Sequence, residues 1–565
     1  MDNLYSKLSQ KRKELQEAGL VPSWYTTGGY QMFESKYEYE TQGRSVRGQF
    51  ERIAKTAAKH VAGHYPEAEH KFFELLWNGW VSPSTPVLSN MGTKRGMPVS
   101  CSGTVVQDSI DGFYKNLHEV AMLTKNGFGT ASDLSQIRCR GTPISTGGKA
   151  NGVVPIIKEH VNSMRSVSQG NTRRGSWAAY LDIEHGDFHE VLNLLMTDPD
   201  DLNIGWTVHQ SFISRLESGD EEAINRFQKV MKAKMILGKG YFFFIDKANF
   251  KRPQMYKDKG LMINNSQLCS EVMLFNDKDH TYSCILASMN AAKYDEWRDT
   301  DSVFWATVFL DAVCSEFIDK AKGVPGLEKT VRYTEKGRSL GLGLCGLHTL
   351  FMQKMLPFES YEAHMLSQEI QSLIDKQSRE ASQSMAITLG EPEWCKGYGL
   401  RNTHRIAIAP TKSTALLMGG ISEGINPDPA MTFVQSTAAG EIDRVNPVLL
   451  ELMKSKGVYN RKHMQQVTEK QGSVQHVDWL TDAEKKVFKT AFEINQKAIL
   501  RLASARSRYI DQWQSLNLFF GAEESPEWIA EVHRDAFLDP NILALYYVYT
   551  QAGVQASKGE CEACQ

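Results

Sequence analysis

The sequence predicts an α/β fold that follows a helical N-terminal region. Over residues 1–80, apolar side chains such as Phe50, Ile53 and Ala57 recur at helical spacing. From Ser82 to about residue 430, Gly, Ser, Thr and Pro separate short apolar runs, and helical stretches lie between these runs. Strands that alternate with helices in this way are typical of a mainly parallel sheet. Apolar residues make up 41% of the chain and charged residues 23%, as in ordinary folded domains.

The individual elements follow from local signals. A capping box formed by Thr481 and Glu484 predicts one long helix over 481–506, and Ser525-Pro526 starts another helix. Asp539-Pro540 is expected to start a last short helix that carries Tyr546 and Tyr547. The expected strands are the apolar runs 153–157, 241–245, 285–289 and 406–409, and further helices are expected over 304–321 and 361–386.

Composition and charge exclude several classes of protein. Lys and Arg (64) nearly balance Asp and Glu (66), which argues against a chain devoted to binding nucleic acid. No run approaches the roughly 18 apolar residues of a membrane helix, and the polar start is unlike a secretory signal. The nine cysteines are too sparse for a disulfide scaffold, so we expect reduced thiols and a cytoplasmic protein.

Gly341, Gly343 and Gly346 spell GxGxxG, but the preceding segment is a poor buried strand. We therefore expect these glycines to serve close helix packing rather than dinucleotide binding.

Two groups of cysteines indicate chemistry. Gln267, Cys269 and Glu271 are two residues apart, so an extended backbone would place all three side chains on one face. A thiol beside a carboxylate ionises poorly, which suits a neutral hydrogen-atom carrier next to a base. The alternative is that such cysteines are small buried hydrophobic residues. Cys561 and Cys564 form a CxxC in a polar tail without a second such pair, which favours a mobile dithiol–disulfide shuttle over a zinc site.

At this point the chain resembles the large, catalytic subunit of ribonucleotide reductase, from about Ser82 to Gln565. The resemblance rests on separate motifs that occur in the family's order. These are the Ser84-Thr85-Pro86 turn, Ser100-Cys101, Gln169–Gly175, Leu268–Glu271, Cys284, Gly399–Asn402, Pro410–Thr414, Tyr546-Tyr547 and the terminal cysteine pair. The resemblance implies a ten-stranded α/β barrel of two five-stranded halves with a central finger loop.

The resemblance also implies catalytic roles. Cys269 is expected to carry a thiyl radical that takes the 3′ hydrogen atom of the ribose, with Glu271 as the base on the 3′ hydroxyl. Gln267 stands where the family usually has Asn, and its extra methylene moves the amide by ~1.5 Å, which matters in a positioned site.

Redox roles follow for the other cysteines. Cys101 and Cys284 are expected to expel the 2′ hydroxyl and to form a disulfide. Cys561 and Cys564 would reduce that disulfide and would themselves be reduced by a thioredoxin or glutaredoxin.

Nucleotide sites are expected in three places. An apolar run, a hydroxyl-rich turn and a helix at 406–417 make a local phosphate-binding pattern, with an ordinary N-cap as the alternative. The resemblance assigns substrate binding to Thr85, Ser100, Thr411, Lys412, Ser413 and Thr414. It assigns binding of a dNTP or ATP effector to Asp108, Arg138, Gln169 and Arg173.

The resemblance is greatest to oxygen-dependent members, which receive the radical from a separate metal-containing small subunit through a tyrosine pair such as Tyr546-Tyr547. We then expect no covalent cofactor and no metal site in this chain, and we expect the chain to form a homodimer. A cobalamin-dependent reductase stays open, since Gly43-Arg44-Ser45 resembles that class, and so does a catalytically idle nucleotide-binding relative. A glycyl-radical motif is missing.

The expected domain division has four parts, and no N-terminal nucleotide-binding cone precedes them. They are a helical region (1–80), the barrel (81–520), C-terminal helices with the tyrosine pair (521–552) and a mobile redox tail (553–565).

Overall fold

The structure is a computed structural model of the chain. It describes residues 2–39, 45–169, 173–200, 202–437 and 440–551.

Helices cover the outside of the molecule and form its N-terminal region, as the helical spacing over 1–80 predicts. The α-helices are α1 (Asp2–Glu17), α2 (Thr27–Met32), α3 (Val46–Ala58), α4 (Ala68–Trp77), α5 (Thr85–Asn90), α6 (Ile110–Lys125), α7 (Val154–Ser166), α8 (Phe188–Thr197), α9 (Gln210–Glu217), α10 (Glu221–Leu237), α11 (Ile245–Lys251), α12 (Gln254–Asp258), α13 (Tyr294–Trp297), α14 (Ser302–Ala321), α15 (Glu328–Gly337), α16 (Leu347–Gln353), α17 (Tyr361–Leu389), α18 (Lys412–Leu417), α19 (Pro447–Ser455), α20 (Arg461–Glu469), α21 (Asp482–Val487), α22 (Gln496–Arg506) and α23 (Pro526–Leu538). A π-helical turn, Phe33–Tyr37, continues α2.

Most of the strands form a barrel. The strands are β1 (Val81–Pro83), β2 (Cys101–Val105), β3 (Gly129–Asp133), β4 (Ser168–Gln169), β5 (Arg173–Arg174), β6 (Trp177–Asp182), β7 (Asn203–Val208), β8 (Tyr241–Phe244), β9 (Tyr282–Asn290), β10 (Leu340–Cys345), β11 (Thr432–Thr437), β12 (Gly440–Val445), β13 (Leu518–Phe520), β14 (Ala544–Leu545) and β15 (Val548–Thr550). Of these, β4 pairs only with β5 and β11 only with β12.

One half of the barrel is the run β2-β3-β6-β7-β8, in which every neighbouring pair is parallel. Its side chains alternate between the barrel interior and the helices outside. Small residues such as Gly103 and Ala131 occupy interior positions, whereas Trp177 packs outside against His160 of α7. The interior of this half is therefore wide enough to admit another segment of the chain.

The other half contains β9 and β10, which are parallel, followed by the extended segments 404–409 and 512–520 and by β14 and β15. Backbone hydrogen bonds join these segments, for example from Leu340 N to His404 O (2.9 Å) and from Ile408 N to Trp513 O (2.9 Å). The two halves meet through antiparallel pairs, β2 with β9 and β8 with β14, which close the ring. The expected ten-stranded barrel of two five-stranded halves is confirmed.

Three expected elements were wrong. The run 153–157 belongs to helix α7, because Val154-Pro155 starts a helix there. The predicted long helix is two helices: the capping box of Thr481 is present, but α21 ends at Val487 and Asn495 caps α22. The last predicted helix is instead β14 and β15, because this apolar run is buried between β8 and β13.

Gly341 and Gly343 also lie in a strand, β10, rather than in packed helices. A Cβ on Gly343 would lie 2.7 Å from Ala407 O, so the glycine allows two strands to approach closely. No helix within the described ranges is long and apolar enough to cross a membrane.

Candidate functional site

A finger loop, residues 259–281, runs through the barrel between α12 and β9 without regular secondary structure. Cys269 lies in a turn at its tip, where Ser270 has a positive φ of 67° and its N–H donates to Gln267 O (3.3 Å). The extended backbone predicted for 267–271 was therefore wrong. Tyr180, from the interior face of β6, donates its hydroxyl to Gln267 O (2.7 Å) and holds the tip in the barrel.

The sulfur of Cys269 is fully buried and contacts a tyrosine. The Tyr546 hydroxyl lies 3.3 Å from Cys269 Sγ, in hydrogen-bonding geometry. The ring centroids of Tyr546 and Tyr547 are 4.2 Å apart, and the Tyr547 hydroxyl is 3.2 Å from that of Tyr241. The pair links β14 to β15, so extended backbone brings a tyrosine to the thiol. A chain of phenols thus ends at Cys269.

Glu271 is buried beside the tip and is held by a serine that sequence reasoning missed. Ser515 Oγ lies 2.6 Å from Cys269 O and 2.9 Å from Glu271 Oε2. The N–H of Trp513 donates to Glu271 O (2.9 Å). The segment 512–516 therefore holds the backbone of Cys269 and the carboxylate of Glu271, and no local motif around Ser515 indicates this role.

Cys101 and Cys284 face each other across the antiparallel β2–β9 pair. Directly opposite residues in such a pair have Cα atoms ~4.5–5.5 Å apart, which suits a disulfide. Gln512 Nε2 lies 3.6 Å from Cys284 Sγ, while Gln512 Oε1 accepts from Met273 N of the finger loop (3.2 Å). Gln512 thereby connects the cysteine pair to the finger.

The surroundings of Cys284 favour its protonated thiol over the thiolate. Burial raises its pKa, the Gln512 hydrogen bond opposes this shift, and the charge of Glu271 adds to it. Cys101, Cys269, Cys284 and Glu271 are all buried, and the charge of Glu271 acts on the thiol of Cys284.

The amide of Gln267 has a defined orientation. Its Oε1 accepts from Ser266 Oγ (3.0 Å) and from Val272 N (3.0 Å). These two donors fix the oxygen, so the NH₂ group is the free end of the amide. Gln267 Nε2 is buried and has no hydrogen-bond partner among the residues described. The longer side chain is folded back on its own loop, and it presents a donor.

Tyr282 is a second unpredicted residue of the site. It lies opposite Gly103 in the β2–β9 register, on the same face as Cys101 and Cys284. Its ring crosses Gly103 so closely that even a Cβ there would overlap it. The buried Tyr282 hydroxyl finds no partner within the described chain. The absence of a side chain at Gly103 is thus what lets this phenol enter the barrel.

The predicted phosphate loop lies at the start of α18. Thr411, Ser413 and Thr414 are buried there, and Thr411 Oγ1 accepts from Gly424 N (2.9 Å). Lys412 is the first residue of α18 and is only partly buried.

The N-terminal region adds two residues that the sequence did not indicate. Lys36 Nζ lies 3.5 Å from Ser413 Oγ, and the Tyr37 hydroxyl lies 2.9 Å from Thr85 Oγ1. Both come from the π-helical turn. Ser100, next to Cys101, is fully buried, and its hydroxyl has no partner in the described structure.

Two of the predicted effector residues, Asp108 and Arg138, line a separate cavity of about 550 Å³ between α6 and α7. Arg138 Nε lies 2.6 Å from Asp108 Oδ2, and Lys149 and Glu159 complete the polar wall. The structure thus brings Asp108 and Arg138 into direct contact. Gln169 and Arg173 are paired in the β4–β5 hairpin, and only their backbone lies within the described structure.

Some predicted residues lie outside the described ranges. They are Cys561 and Cys564 of the tail, and Gly43 and Arg44. Ser45 is described, and its side chain caps the N-terminus of α3. Within the described ranges, no cluster of three or more His, Cys, Asp or Glu could hold a metal ion.

Two family models match the chain. "Ribonucleotide reductase, barrel domain" matches residues 99–227, 221–394 and 393–547, and "Ribonucleotide reductase, all-alpha domain" matches 23–96.

Named relatives agree with these models. A Frog virus 3 (isolate Goorha) protein named as a ribonucleoside-diphosphate reductase large subunit is 33% identical over 543 residues, 90% of this chain and 94% of the relative. A vitamin B12-dependent ribonucleoside-diphosphate reductase of Thermoplasma acidophilum is 30% identical over 512 residues, 84% of this chain and 64% of the relative. Among solved structures, the Actinobacillus ureae class Id ribonucleotide reductase alpha subunit superposes with a TM-score of 0.87 at 32% identity, covering 95% of this chain and 99% of that one.

Proposed function

Because the chain belongs to the ribonucleotide reductase large-subunit family, an oxidoreductase family, we propose that it is the catalytic subunit of a two-component ribonucleoside-diphosphate reductase that works by thiyl-radical chemistry. The observation that carries this proposal is the hydrogen bond between the Tyr546 hydroxyl and the buried Cys269 sulfur (3.3 Å). A thiol in this position can pass its hydrogen atom to a phenoxyl oxygen. The partner is a metal-containing small subunit that generates the radical.

In the proposed reaction, the Tyr546 phenoxyl takes the hydrogen atom of Cys269, and the resulting thiyl takes the 3′ hydrogen atom of the ribose. Glu271 accepts the 3′ hydroxyl proton. One thiol of the Cys101–Cys284 pair protonates the 2′ hydroxyl, which leaves as water. The pair supplies two electrons and its second hydrogen to C2′ and becomes a disulfide. Cys269 then returns a hydrogen atom to C3′, and Glu271 returns the proton to the 3′ oxygen. The elevated pKa of Cys284 supports its role as a proton donor.

The orientation of Gln267 supports a donor role toward the ribose. Its Nε2 is the only end of the amide not engaged by the loop. A buried unpaired N–H costs about 1–3 kcal/mol, and a ribose oxygen would remove that penalty. The change from Asn to Gln is therefore compatible with turnover.

Substrate binding is proposed at the hydroxyl-rich side of the site. Thr85, Ser100 and the 411–414 segment supply hydroxyls and backbone N–H groups to the diphosphate. The effector is proposed to bind in the cavity of Asp108 and Arg138, together with Gln169 and Arg173 of the β4–β5 hairpin. That cavity lies beside exposed apolar residues of α6, which supports a homodimer through this face.

The remaining parts of the proposal rest on sequence. Cys561 and Cys564 would reduce the Cys101–Cys284 disulfide and exchange with a thioredoxin or glutaredoxin. The proposed division is a helical region (1–80), the barrel (81–520), a C-terminal segment with the tyrosine pair (521–552) and the redox tail (553–565).

A cobalamin-dependent reductase is the second candidate, because the Thermoplasma relative has that activity by name. The experiment that separates them incubates the full chain with a ribonucleoside diphosphate, an effector dNTP and dithiothreitol. Deoxynucleotide formed with adenosylcobalamin alone contradicts the two-component proposal. Product formed only with the metal-containing small subunit, and lost in Cys269→Ser, supports it. No product under either condition supports a catalytically idle relative.

A further inference from the structure

A buried lysine contacts the backbone of the tyrosine pair. Lys234, in the last turn of α10, is fully buried, and its Nζ donates to Tyr546 O at 2.8 Å. Its Nζ also lies 5.5 Å from the ring centroid of Phe242 on β8. Among the described residues, burial alone shifts the pKa of Lys234, and no carboxylate charge opposes that shift. A buried ammonium without a counter-charge is unfavourable, so packing alone does not account for a lysine here.

The end of α10 is attached to the tyrosine segment at further points. Val548 N donates to Gly238 O (3.1 Å), and Thr550 Oγ1 donates to Met235 O (3.3 Å). Gly238 ends the helix in a left-handed conformation with a φ of 74°. Together with Lys234, these contacts hold residues 546–550 against the helix.

The contact of Lys234 lies between β14 and β15, where the main chain of Tyr546 leaves one strand pairing and enters the next. The Lys234 amine bonds the carbonyl at this junction. The hydroxyl of the Tyr546 side chain lies 3.3 Å from Cys269 Sγ. Any shift of the Tyr546 backbone changes this phenol–sulfur distance directly.

We propose that Lys234 is a positioning residue for radical transfer: by holding the Tyr546 carbonyl, it keeps the Tyr546 hydroxyl within reach of the Cys269 sulfur. This inference rests on the proposed function, since it requires that Tyr546 delivers the radical. Hydrogen transfer depends steeply on the distance between reacting atoms, so a loosened carbonyl lowers the rate without changing substrate binding.

Protonation of Lys234 adds a measurable signature. Burial lowers the pKa of this lysine to about 7. The charged form makes the stronger, charge-assisted hydrogen bond, so the hold on Tyr546 weakens as pH rises through about 7. The titratable group whose charge interacts with Lys234 is His533 of α23, and burial together with the charge of Lys234 lowers the pKa of His533 to about 3.

The experiment uses the full chain with its small subunit, a ribonucleoside diphosphate, an effector dNTP and dithiothreitol. Lys234→Met removes the donor and the charge while filling a similar volume. Lys234→Gln retains a neutral donor. The matched control is Lys247→Met: Lys247 is another buried lysine, bonded to Phe537 O (2.7 Å), with its pKa also lowered to about 7 by burial, and it contacts no tyrosine of the pair.

We expect Lys234→Met to lower kcat by about tenfold or more with an unchanged KM for substrate. Lys234→Gln should recover part of this loss, and Lys247→Met should keep the wild-type kcat. The ratio of wild-type to Lys234→Met kcat should shrink as pH rises from 6 to 9. A Lys234→Met enzyme with wild-type kcat at every pH, or an equal loss in Lys247→Met, overturns the inference.

Tyr546→Phe separates the two levels of the argument. If the Tyr546→Phe enzyme still converts substrate, the proposed radical route is wrong, and the proposed role of Lys234 is wrong as well. If Tyr546→Phe is inactive while Lys234→Met is unaffected, only the role of Lys234 is wrong.

Discussion

Replacing Gly341 by alanine tests whether the sulfur of Cys284 needs the space that this glycine leaves. Gly341 lies on β10, on the face directed toward Cys284. A Cβ at this position would lie 2.9 Å from Cys284 Sγ and 3.2 Å from Ala407 Cβ, and it would overlap Leu286 Cδ2. Ordinary van der Waals contact begins near 3.4 Å, so the sulfur must move by about 0.5 Å or more.

The size of the effect follows from this crowding. The new methyl group is confined by three neighbours, and overpacking of this kind destabilises a core by about 1–3 kcal/mol. Displacement of Cys284 Sγ also disturbs its approach to Cys101, because disulfide geometry tolerates only small shifts. We therefore expect turnover to fall by about 10- to 100-fold, beyond any loss of folded protein.

The assay combines three measurements on the same preparation: urea unfolding, steady-state turnover with the small subunit, and the rate at which the Cys101–Cys284 disulfide forms in one turnover. Gly63→Ala is the matched control, since no atom lies within 4 Å of a Cβ at Gly63. Wild-type turnover and disulfide formation in Gly341→Ala, with the control also unchanged, would refute the reasoning. A loss of stability with normal disulfide formation would refute its catalytic part.

Three further predictions concern other contacts of the site. Ser515→Ala removes the hydroxyl that bonds Glu271. Hydrogen bonds to charged groups are worth about 1.5–3 kcal/mol, so kcat should fall by about 10- to 100-fold, and an unchanged kcat at constant effector concentration contradicts this role. Tyr282→Phe removes a buried hydroxyl that has no partner in the described structure, so the midpoint of thermal unfolding should rise; a lower midpoint contradicts this. Gly103→Ala should destabilise the fold, and adding Tyr282→Ala should partly rescue it; additive losses in the double variant would show that the two residues do not contact. Arg138→Met should weaken effector binding, measured by equilibrium dialysis, by about tenfold or more. The rate of turnover without effector should stay unchanged, and unaltered effector binding would mean that the effector binds elsewhere.

Much of the fold could be predicted from local sequence signals. The helical spacing over 1–80, the apolar runs 241–245 and 285–289, and the cap at Thr481 all correspond to observed elements. Each of these segments has a periodicity or a cap that belongs to one type of secondary structure. The arrangement of ten strands in two halves came from the family resemblance, because periodicity does not specify strand order.

The errors occurred where local signals are ambiguous. The runs 153–157 and 542–548 are short and apolar, and such runs fit a buried strand or a helix equally well. The first is a helix and the second forms strands, because tertiary pairing decided each case. The turn at Ser270 was missed because its left-handed backbone carries no glycine to indicate it.

The site was predicted where residues stand in motifs and missed where they come from distant segments. Cys269, Cys101 and Cys284 each stand in a recognisable motif. Ser515 and Lys234 contact the site from segments that have no sequence pattern of their own. Only the folded chain brings such residues into range.

The position of Cys101 and Cys284 on β2 and β9 has a mechanical consequence. These strands form one of the two antiparallel seams between the half-barrels. A disulfide here would therefore cross-link the two halves and close a loop of roughly 180 residues, which in the chain-entropy description restrains the unfolded chain by about 5 kcal/mol. In every catalytic cycle the enzyme would alternate between a form whose half-barrels are covalently cross-linked and a form in which only strand pairing and packing join them. Without reductant, the enzyme would accumulate in the disulfide form. This form should unfold at a higher temperature and be cleaved more slowly by proteases than the reduced form.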